Sequence, residues 1–145
     1  MMARPRYETQ KDLDSEQEIA TFLSQAWQCK FIKLEPFKWR VDFLLIGKSN
    51  TFAWLEIKTA NMRFGQWPHT IAFKKIEAAR ALVKTSGYKF ILMFRCKDAL
   101  VYHVWDFEKE YKFEFGGRTR NTRDSQDIEP VFRIDPKDCQ KVEGF

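Results

Sequence analysis

The chain has 145 residues, of which 44% are hydrophobic and 16% aromatic. That composition suits one domain with a buried core, and it excludes a disordered polar chain. Lys and Arg outnumber Asp and Glu by 25 to 20, and the net charge of +5 favours polyanionic partners, although many soluble proteins are as basic without binding one.

Membrane and metal-cluster classes have no support in the sequence. It contains no run of about eighteen apolar residues, so we expect no membrane span. The first residues lack the apolar stretch of a secretory signal. Cys29, Cys96 and Cys139 lie far apart without a CxxC pair or a Cys/His cluster, which indicates reduced thiols and neither zinc nor an iron–sulfur cluster. We therefore expect a cytoplasmic protein.

The first third of the chain predicts an arm, a helix and three strands. Residues 1–13 are polar and are interpreted as an N-terminal arm. A helix is predicted from Asp14, because Asp14 or Ser15 can cap it and apolar residues then recur at helical spacing. Strands are predicted at 30–34, 39–46 and 52–58, with a turn at 47–50 between the last two.

The remaining elements follow a loop at 59–70. A second helix is predicted at 72–86 and ends at Gly87, a residue suited to the position after a helix. Further strands are predicted at 88–96, 100–107 and 130–134. A flexible basic loop is predicted at 116–127. The strands around Phe43, Ile57 and Leu92 are apolar on both faces, so the prediction is a single α/β domain over 14–145, with helices covering both faces of a central sheet.

The predicted hairpin of strands 39–46 and 52–58 has an asymmetric distribution of charge. Side chains alternate between faces, so one face is wholly apolar and must be buried: Trp39, Val41, Phe43, Leu45, Ala53, Leu55 and Ile57. The opposite face is apolar beside the turn and charged at the far end, where Arg40, Asp42, Glu56 and Lys58 lie. A solvated strand face is normally polar along its length, so this face is expected to be largely covered.

Asp42, Glu56 and Lys58 suit the hydrolysis of phosphodiester bonds. Two carboxylates at the rim of a covered face repel each other unless a cation lies between them. Lys58 could neutralise one of them, as an ordinary surface ion pair would, whereas a divalent metal would neutralise both. Magnesium is held by one or two carboxylates and the substrate phosphate, and it activates a bound water. Lys58 would orient that water or stabilise negative charge on the phosphate.

The site depends on the strand register. Asp42 faces Glu56 in an antiparallel pair only if the connection holds an odd number of residues, such as 48–50 or 47–51. We predict this pairing. A two- or four-residue connection with unbroken pairing would place the two carboxylates on opposite faces.

Val41-Asp42 followed by Glu56-Ile57-Lys58 on a hairpin resembles the signature of the PD-(D/E)xK nucleases. Residues 16–95 carry the likeness, which is closest to small Holliday-junction-resolvase-like and phage-type members, and Val41 stands where the family name has proline. The resemblance implies a restriction-endonuclease-like core of order α-β-β-β-α-β around a mixed sheet. It also implies that Asp42, Glu56 and the Ile57 carbonyl bind Mg²⁺ or Mn²⁺ and that Lys58 is catalytic.

Glu16 and Lys75 are candidates for accessory roles at the site, and each has a second interpretation. The family carries a glutamate on the helix before the hairpin, and Glu16 lies nearer the apolar stripe of the predicted helix than Glu18. Glu16 could equally interact with the positive end of that helix. Lys75 flanks the inward stripe of the second helix and is a candidate accessory residue or a surface lysine, whereas Lys74 points nearly opposite.

Other residues are candidates for contact with nucleic acid. Arg63, Gln66 and His69 lie in the loop after Lys58, and Arg40 lies on the charged end of the hairpin. Arg118, Arg120 and Arg123 lie in the predicted basic loop. Scattered basic residues are also typical of a merely solubilising surface, and His69 of an ordinary loop. His103, within an apolar strand, is interpreted as structural.

The sequence therefore predicts a Mg²⁺- or Mn²⁺-dependent DNA endonuclease, with a Holliday-junction or branched-DNA resolvase as its specific form. A symmetric four-way substrate would call for a homodimer. If the source is viral, its location would be the host cytoplasm. The alternatives are a catalytically inactive nucleic-acid-binding domain of the same fold and an adaptor protein whose charge is incidental.

Overall fold

The computed structural model describes residues 10–35, 41–116 and 129–145. Two helices, α1 (Gln10–Ala26) and α2 (Phe73–Ser86), are found in these ranges. The strands are β1 (Lys30–Lys33), β2 (Phe43–Ile46), β3 (Phe52–Thr59), β4 (His69–Ala72), β5 (Lys89–Arg95), β6 (Leu100–Val104), β7 (Phe113–Gly116), β8 (Glu129–Ile134) and β9 (Gln140–Lys141). Across the described ranges, no helix has the length and apolar character that crossing a bilayer requires.

Six strands form the central sheet, in the order β1-β2-β3-β5-β6-β9. Strand β3 pairs in parallel with β5, and the other neighbours in this sheet pair antiparallel. The predicted mixed sheet is therefore confirmed. Helix α2 lies between β3 and β5 in the chain and supplies the crossover that a parallel pair requires.

Each face of the central sheet packs against a helix. On one face, α1 places Ile19 and Leu23, both fully buried, against Phe43, Leu55 and other residues of the sheet. On the other face, α2 contributes Ile76 and Ala79 to a second cluster with Trp54, Leu92 and Phe94. Strands β3 and β5 alternate between these two clusters, which explains why their sequences are apolar on both sides. The predicted α/β architecture is confirmed.

The hairpin of β2 and β3 has the predicted register. Phe43 pairs with Leu55 and Leu44 with Trp54, and this pairing ends at Phe43, because Asp42 lies in a bend and its N–H bonds the Leu55 carbonyl. The connection is residues 47–51, closed by a hydrogen bond of 2.7 Å from the Gly47 N–H to the Thr51 carbonyl. Ser49 and Asn50 adopt positive φ angles of 60° and 55° there. The connection therefore has an odd number of residues, as predicted.

Several predicted boundaries are wrong. Residues 10–13 belong to α1, not to an arm, and Ala72 is the extended residue before α2. Residues 41 and 42 form a bend before β2. Because of this bend, Val41 packs in the α2-side cluster and not on the α1 side with Phe43. Residues 36–40 and 117–128, which include Arg40 and most of the predicted basic loop, lie outside the described residues.

A second, three-stranded sheet of order β4-β8-β7 was not predicted. Strand β4 falls at the end of the predicted loop 59–70, and it pairs antiparallel with β8 through His69 opposite Ile134. Gly116 ends β7 and does not begin a loop. Strand β9 was also missed, and it extends the central sheet at β6. These short strands are paired with partners distant in the sequence, so local patterns gave little sign of them.

Candidate active site

Strand β3 carries Glu56 and Lys58 on the face of the central sheet that α2 covers. Glu56 is buried, with 6% of the residue exposed. Two residues later, Lys58 is exposed because it lies at the end of the strand, beyond the apolar cover. In the parallel pairing with β5, Glu56 lies beside Leu92 and Lys58 beside Phe94. The strand therefore carries one charged group below the surface and one at its edge.

Asp42 is held next to β3 by its main chain and its side chain. Its N–H donates to the Leu55 carbonyl at 3.1 Å, and its carbonyl accepts from the Leu34 N–H at 3.0 Å. Its Oδ2 accepts a hydrogen bond of 2.7 Å from the Ile57 N–H. The N–H and carbonyl of one strand residue point to the same side, so the Ile57 carbonyl also faces this end of β2. The geometry brings Asp42, Glu56 and Ile57 together.

Two lysines partly offset the charge of these acids. Lys75 on α2 donates to Glu56 Oε1 at 2.7 Å. Lys33, at the end of β1, donates to Glu16 Oε2 at 2.8 Å and lies 3.8 Å from Asp42 Oδ1. Lys33 was missed at the level of sequence. Its place beside Asp42 follows from the pairing of β1 with β2, which the sequence alone did not reveal.

Burial makes the charged forms of the two acids costly. The pKa of Asp42 is raised from 3.8 to about 7, first by burial and then by the neighbouring Glu56, against the opposing effects of the Ile57 N–H, Lys33 and Lys75. Burial also raises the pKa of Glu56, opposed by Lys75 and reinforced by Glu16. Lys33 and Lys75 therefore do not fully offset the cost of ionising the two acids.

The donor set of this cluster suits a hard divalent cation. Glu56 Oε2 is buried and, among the described residues, has no hydrogen-bond partner. Together with Asp42 and the Ile57 carbonyl it would provide the few oxygen ligands with which Mg²⁺ or Mn²⁺ is held, while water or substrate completes the coordination. Over the described part of the chain, no three His, Cys, Asp or Glu side chains are grouped to hold a metal.

A family model described as "Phage putative PDDEXK endonuclease" matches residues 2–142. The chain belongs to this PDDEXK family. The resemblance seen in the hairpin motif is thereby confirmed, and the chain is placed among nucleases. No curated protein matches the chain.

The fold of this PDDEXK protein is also found among solved structures. Hjc, a Holliday junction resolvase from the archaeal hyperthermophile Archaeoglobus fulgidus, is similar with a TM-score of 0.61. The likeness covers 91% of this chain and 92% of Hjc at 16% sequence identity. At that identity the comparison shows a shared α/β fold.

Lys58 of the PDDEXK protein is anchored by the second sheet. Its Nζ donates to the Thr70 carbonyl at 2.7 Å and lies 3.4 Å from the Thr70 hydroxyl. This contact depends on β4, which the sequence did not predict. Lys58 also lines a cavity of about 280 Å³ between the end of β3 and the loop that precedes β4.

Glu16 and Glu18 have different environments. Glu16 is 8% exposed and joins Lys33 beside Asp42, whereas Glu18 is exposed and pairs with Arg95 at 3.2 Å. Helix α1 extends back to at least Gln10, so Glu16 lies beyond the first turn, where the helix dipole acts most strongly. The geometry therefore brings Glu16, not Glu18, to the acidic cluster.

The remaining candidates are not gathered at the acids. Arg63 and Gln66 are exposed and bond each other within the turn before β4. His69 is 1% exposed and begins β4, so its prediction as a loop residue is wrong, and its buried ring does not offer a surface for direct phosphate contact. The ring nitrogens of His103 bond the Asp138 carbonyl and the Tyr111 hydroxyl, in keeping with a structural role.

Proposed function

We propose that this PDDEXK-family protein is a Mg²⁺- or Mn²⁺-dependent DNA endonuclease that cuts branched DNA such as Holliday junctions. The proposal rests chiefly on Asp42, which is partly buried, and Glu56, which is buried, two neighbouring acids at the end of the central sheet whose pKa values are raised. Glu56 Oε2 has no hydrogen-bond partner within the described part of the chain. A pair of acids largely removed from solvent is costly unless a cation compensates it. The family match supplies the nuclease class.

Each residue of the proposed site would have a different role in catalysis. Asp42, Glu56 and the Ile57 carbonyl would hold the cation, which supplies Lewis acidity toward the phosphate and a more acidic water. Lys58, at the exposed end of β3, would contact a phosphate oxygen and stabilise its developing charge. Lys75 holds Glu56 Oε1 and so orients that carboxylate. Lys33 joins Glu16 to the cluster and holds the helix acid near Asp42.

The support for branched DNA over other substrates is the shared fold and nothing else. The similar structure, Hjc, is a Holliday junction resolvase. A four-way junction presents two symmetric strands for cutting, so we further propose a homodimer with one site per protomer. Sedimentation of the protein with and without a four-way junction tests this, and a monomer in both conditions would reject the dimer.

The catalytic assignment is tested by cleavage of four-way, flap and linear DNA with Mg²⁺ or Mn²⁺. Asp42→Asn, Glu56→Gln and Lys58→Ala should each lower the cleavage rate by about a hundredfold or more, because each removes a cation ligand or a group that stabilises charge. Lys74→Met is the matched control, since Lys74 is an exposed neighbour on α2, and it should cut at the wild-type rate.

Calcium separates the enzyme from a DNA-binding domain that has lost activity. An intact acidic centre should bind Ca²⁺ in a calorimetric titration, and Asp42→Asn should weaken that binding at least tenfold. A wild-type protein that binds DNA but neither binds the ion nor cuts any substrate would be the inactive domain. Equal cleavage by wild type and the Lys58→Ala variant would remove Lys58 from the proposal.

A further inference from the structure

A cavity of about 280 Å³ lies directly beside Lys58, at the end of β3. Its lining includes Trp67, His69, Phe94 and Asn61. We propose that this cavity binds one unstacked nucleobase of the substrate strand, next to the phosphate that Lys58 contacts. This inference rests on the proposed function and narrows its substrate class to DNA with an unpaired or easily unpaired nucleotide beside the cut.

Trp67 is the aromatic residue of the cavity that suits a planar ring. His69 and Phe94 also line the cavity, but their rings stack on each other with centroids 4.2 Å apart and both residues are 1% exposed, so they form its wall without a free face. Trp67, in the loop before β4, is 61% exposed although it is a large apolar side chain. Aromatic side chains bind bases of any sequence by stacking, at about 1–3 kcal/mol per base. An exposed tryptophan beside a cavity is thus a suitable stacking partner.

The rim of the cavity has a polar group suited to the edge of a base. Asn61 is exposed and lines the cavity, and its amide has one acceptor and two donors. His69 also lines the cavity, but its side chain is 1% exposed and both of its ring nitrogens are buried, so it contributes to the wall and not to the recognition of a base edge.

The position of the cavity links it to the cleavage site. Lys58 and Phe94 both line the cavity and are neighbours in the β3–β5 pairing, so the cavity directly adjoins the lysine. A base in the cavity would therefore belong to a nucleotide at or next to the phosphate near Lys58. A base stacked and paired in a duplex cannot reach such a cavity, so its strand must open at that nucleotide. Junctions, flaps and nicks allow this opening at low cost.

The test compares the affinity for DNA that carries one abasic nucleotide with the affinity for the intact strand. The cut is first mapped, and the abasic nucleotide is then placed at each position flanking it, with Ca²⁺ in place of Mg²⁺. At one position, loss of the base should weaken binding by wild type at least about fivefold, which is the lower end of the stacking contribution of one base. Trp67→Phe should keep this dependence, because phenylalanine also stacks, whereas Trp67→Ala should bind the abasic and the intact strand with nearly equal affinity. Phe113→Ala, which alters an exposed aromatic residue outside the cavity, is the matched control.

The possible failures are distinguishable. If wild type cuts DNA but no abasic position weakens its binding, or if Trp67→Ala loses as much affinity as wild type at that position, the base-binding proposal is rejected and the nuclease proposal stands. If wild type neither binds nor cuts any DNA in the panel, both proposals are rejected. Thermal unfolding of each variant confirms that it is folded before the affinities are compared.

Discussion

Asp42 and Glu56 show how single residues are tuned by their surroundings. Both carboxylates lie where burial opposes ionisation, and each lies within the electrostatic influence of other acids. Lys33 and Lys75 reduce that cost without removing it. The cluster is therefore least stable in its fully ionised form without a cation, which is the state that a divalent ion would relieve.

The pH dependence of stability should report the burial of Asp42. Its pKa is about 7 in the folded chain and near 3.8 ordinarily, so the folded state binds the proton more tightly. The stability associated with this group is present below about pH 4 and is lost as the pH rises through about 7. Glu56 acts in the same direction. We expect the melting temperature of chelator-treated wild type to fall relative to that of Asp42→Asn between about pH 5 and pH 8, by roughly 2–4 °C per kcal/mol.

Addition of Ca²⁺ at about pH 8 should restore the stability of wild type and have little effect on Asp42→Asn, because the ion compensates the ionised pair. Melting curves for the two proteins that shift in parallel with pH would contradict the assignment of the raised pKa to Asp42.

Substitutions of Lys75 and of its neighbour Lys74 test the contribution of the ion pair between Lys75 and Glu56. Lys75→Met leaves the buried Glu56 without its partner at 2.7 Å, whereas Lys74→Met changes an exposed lysine one residue away. Because Lys75 is itself half exposed, solvent screening limits the loss, and we expect about 1 kcal/mol for Lys75→Met. Lys74→Met should stay within about 0.5 kcal/mol of wild type. Urea unfolding in the presence of chelator measures both, and equal effects would argue against a role for Lys75 at the site.

The position of Glu56 and the hairpin register could be predicted from the sequence, because strand alternation and an odd-numbered connection depend only on neighbouring residues. Asp42 lies in the bend before β2, so its position beside Glu56 does not follow from strand alternation. Lys33 and His69 could not be interpreted in this way. Lys33 reaches Glu16 and Asp42 only after β1 pairs with β2, and His69 becomes buried only after β4 pairs with β8. The environments of both side chains depend on contacts between distant parts of the chain.

At the scale of elements, both helices and strands β1, β2, β3, β5, β6 and β8 were predictable, and strands β4, β7 and β9 were not. β3 and β5 have strong apolar patterns, and α2 ends at the glycine that its sequence indicated. β4, β7 and β9 have four or fewer residues each, so their hydrogen-bonded partners decide their conformation. The second sheet nevertheless bears on the site, because Thr70 of β4 holds Lys58.

Gly87 offers a test of how α2 ends. It adopts a left-handed conformation with φ of 75°, and its N–H donates to the Val83 carbonyl. A Cβ atom there would meet no heavy atom within 4 Å, so Gly87→Ala is strained by its backbone conformation alone. We expect a loss of about 1 kcal/mol for alanine and a smaller loss for Gly87→Asn, because asparagine tolerates this conformation better. Denaturant unfolding measures the series, and an alanine variant as stable as wild type would contradict the role of the glycine.

For the whole molecule, the net charge of +5 should make DNA binding sensitive to salt. Each phosphate neutralised by a lysine or arginine contributes about −0.9 to the slope of log affinity against log salt for duplex DNA. Arg63→Ala should make that slope less steep by about one if Arg63 contacts a phosphate, whereas Arg80→Ala, which removes an arginine paired with Glu77, should not. Fluorescence anisotropy with Ca²⁺ over a range of salt concentrations measures both. Identical slopes for the Arg63→Ala variant and wild type would exclude that contact.

The hydrogen bond from the Ile57 N–H to Asp42 Oδ2 has a spectroscopic consequence. That amide proton points directly at the carboxylate whose ionic state is in question, so its NMR chemical shift should follow every change there. Acidification and the arrival of a divalent ion should move the same resonance in different ways. A single backbone signal would thus record occupancy of the acidic pair without any DNA present.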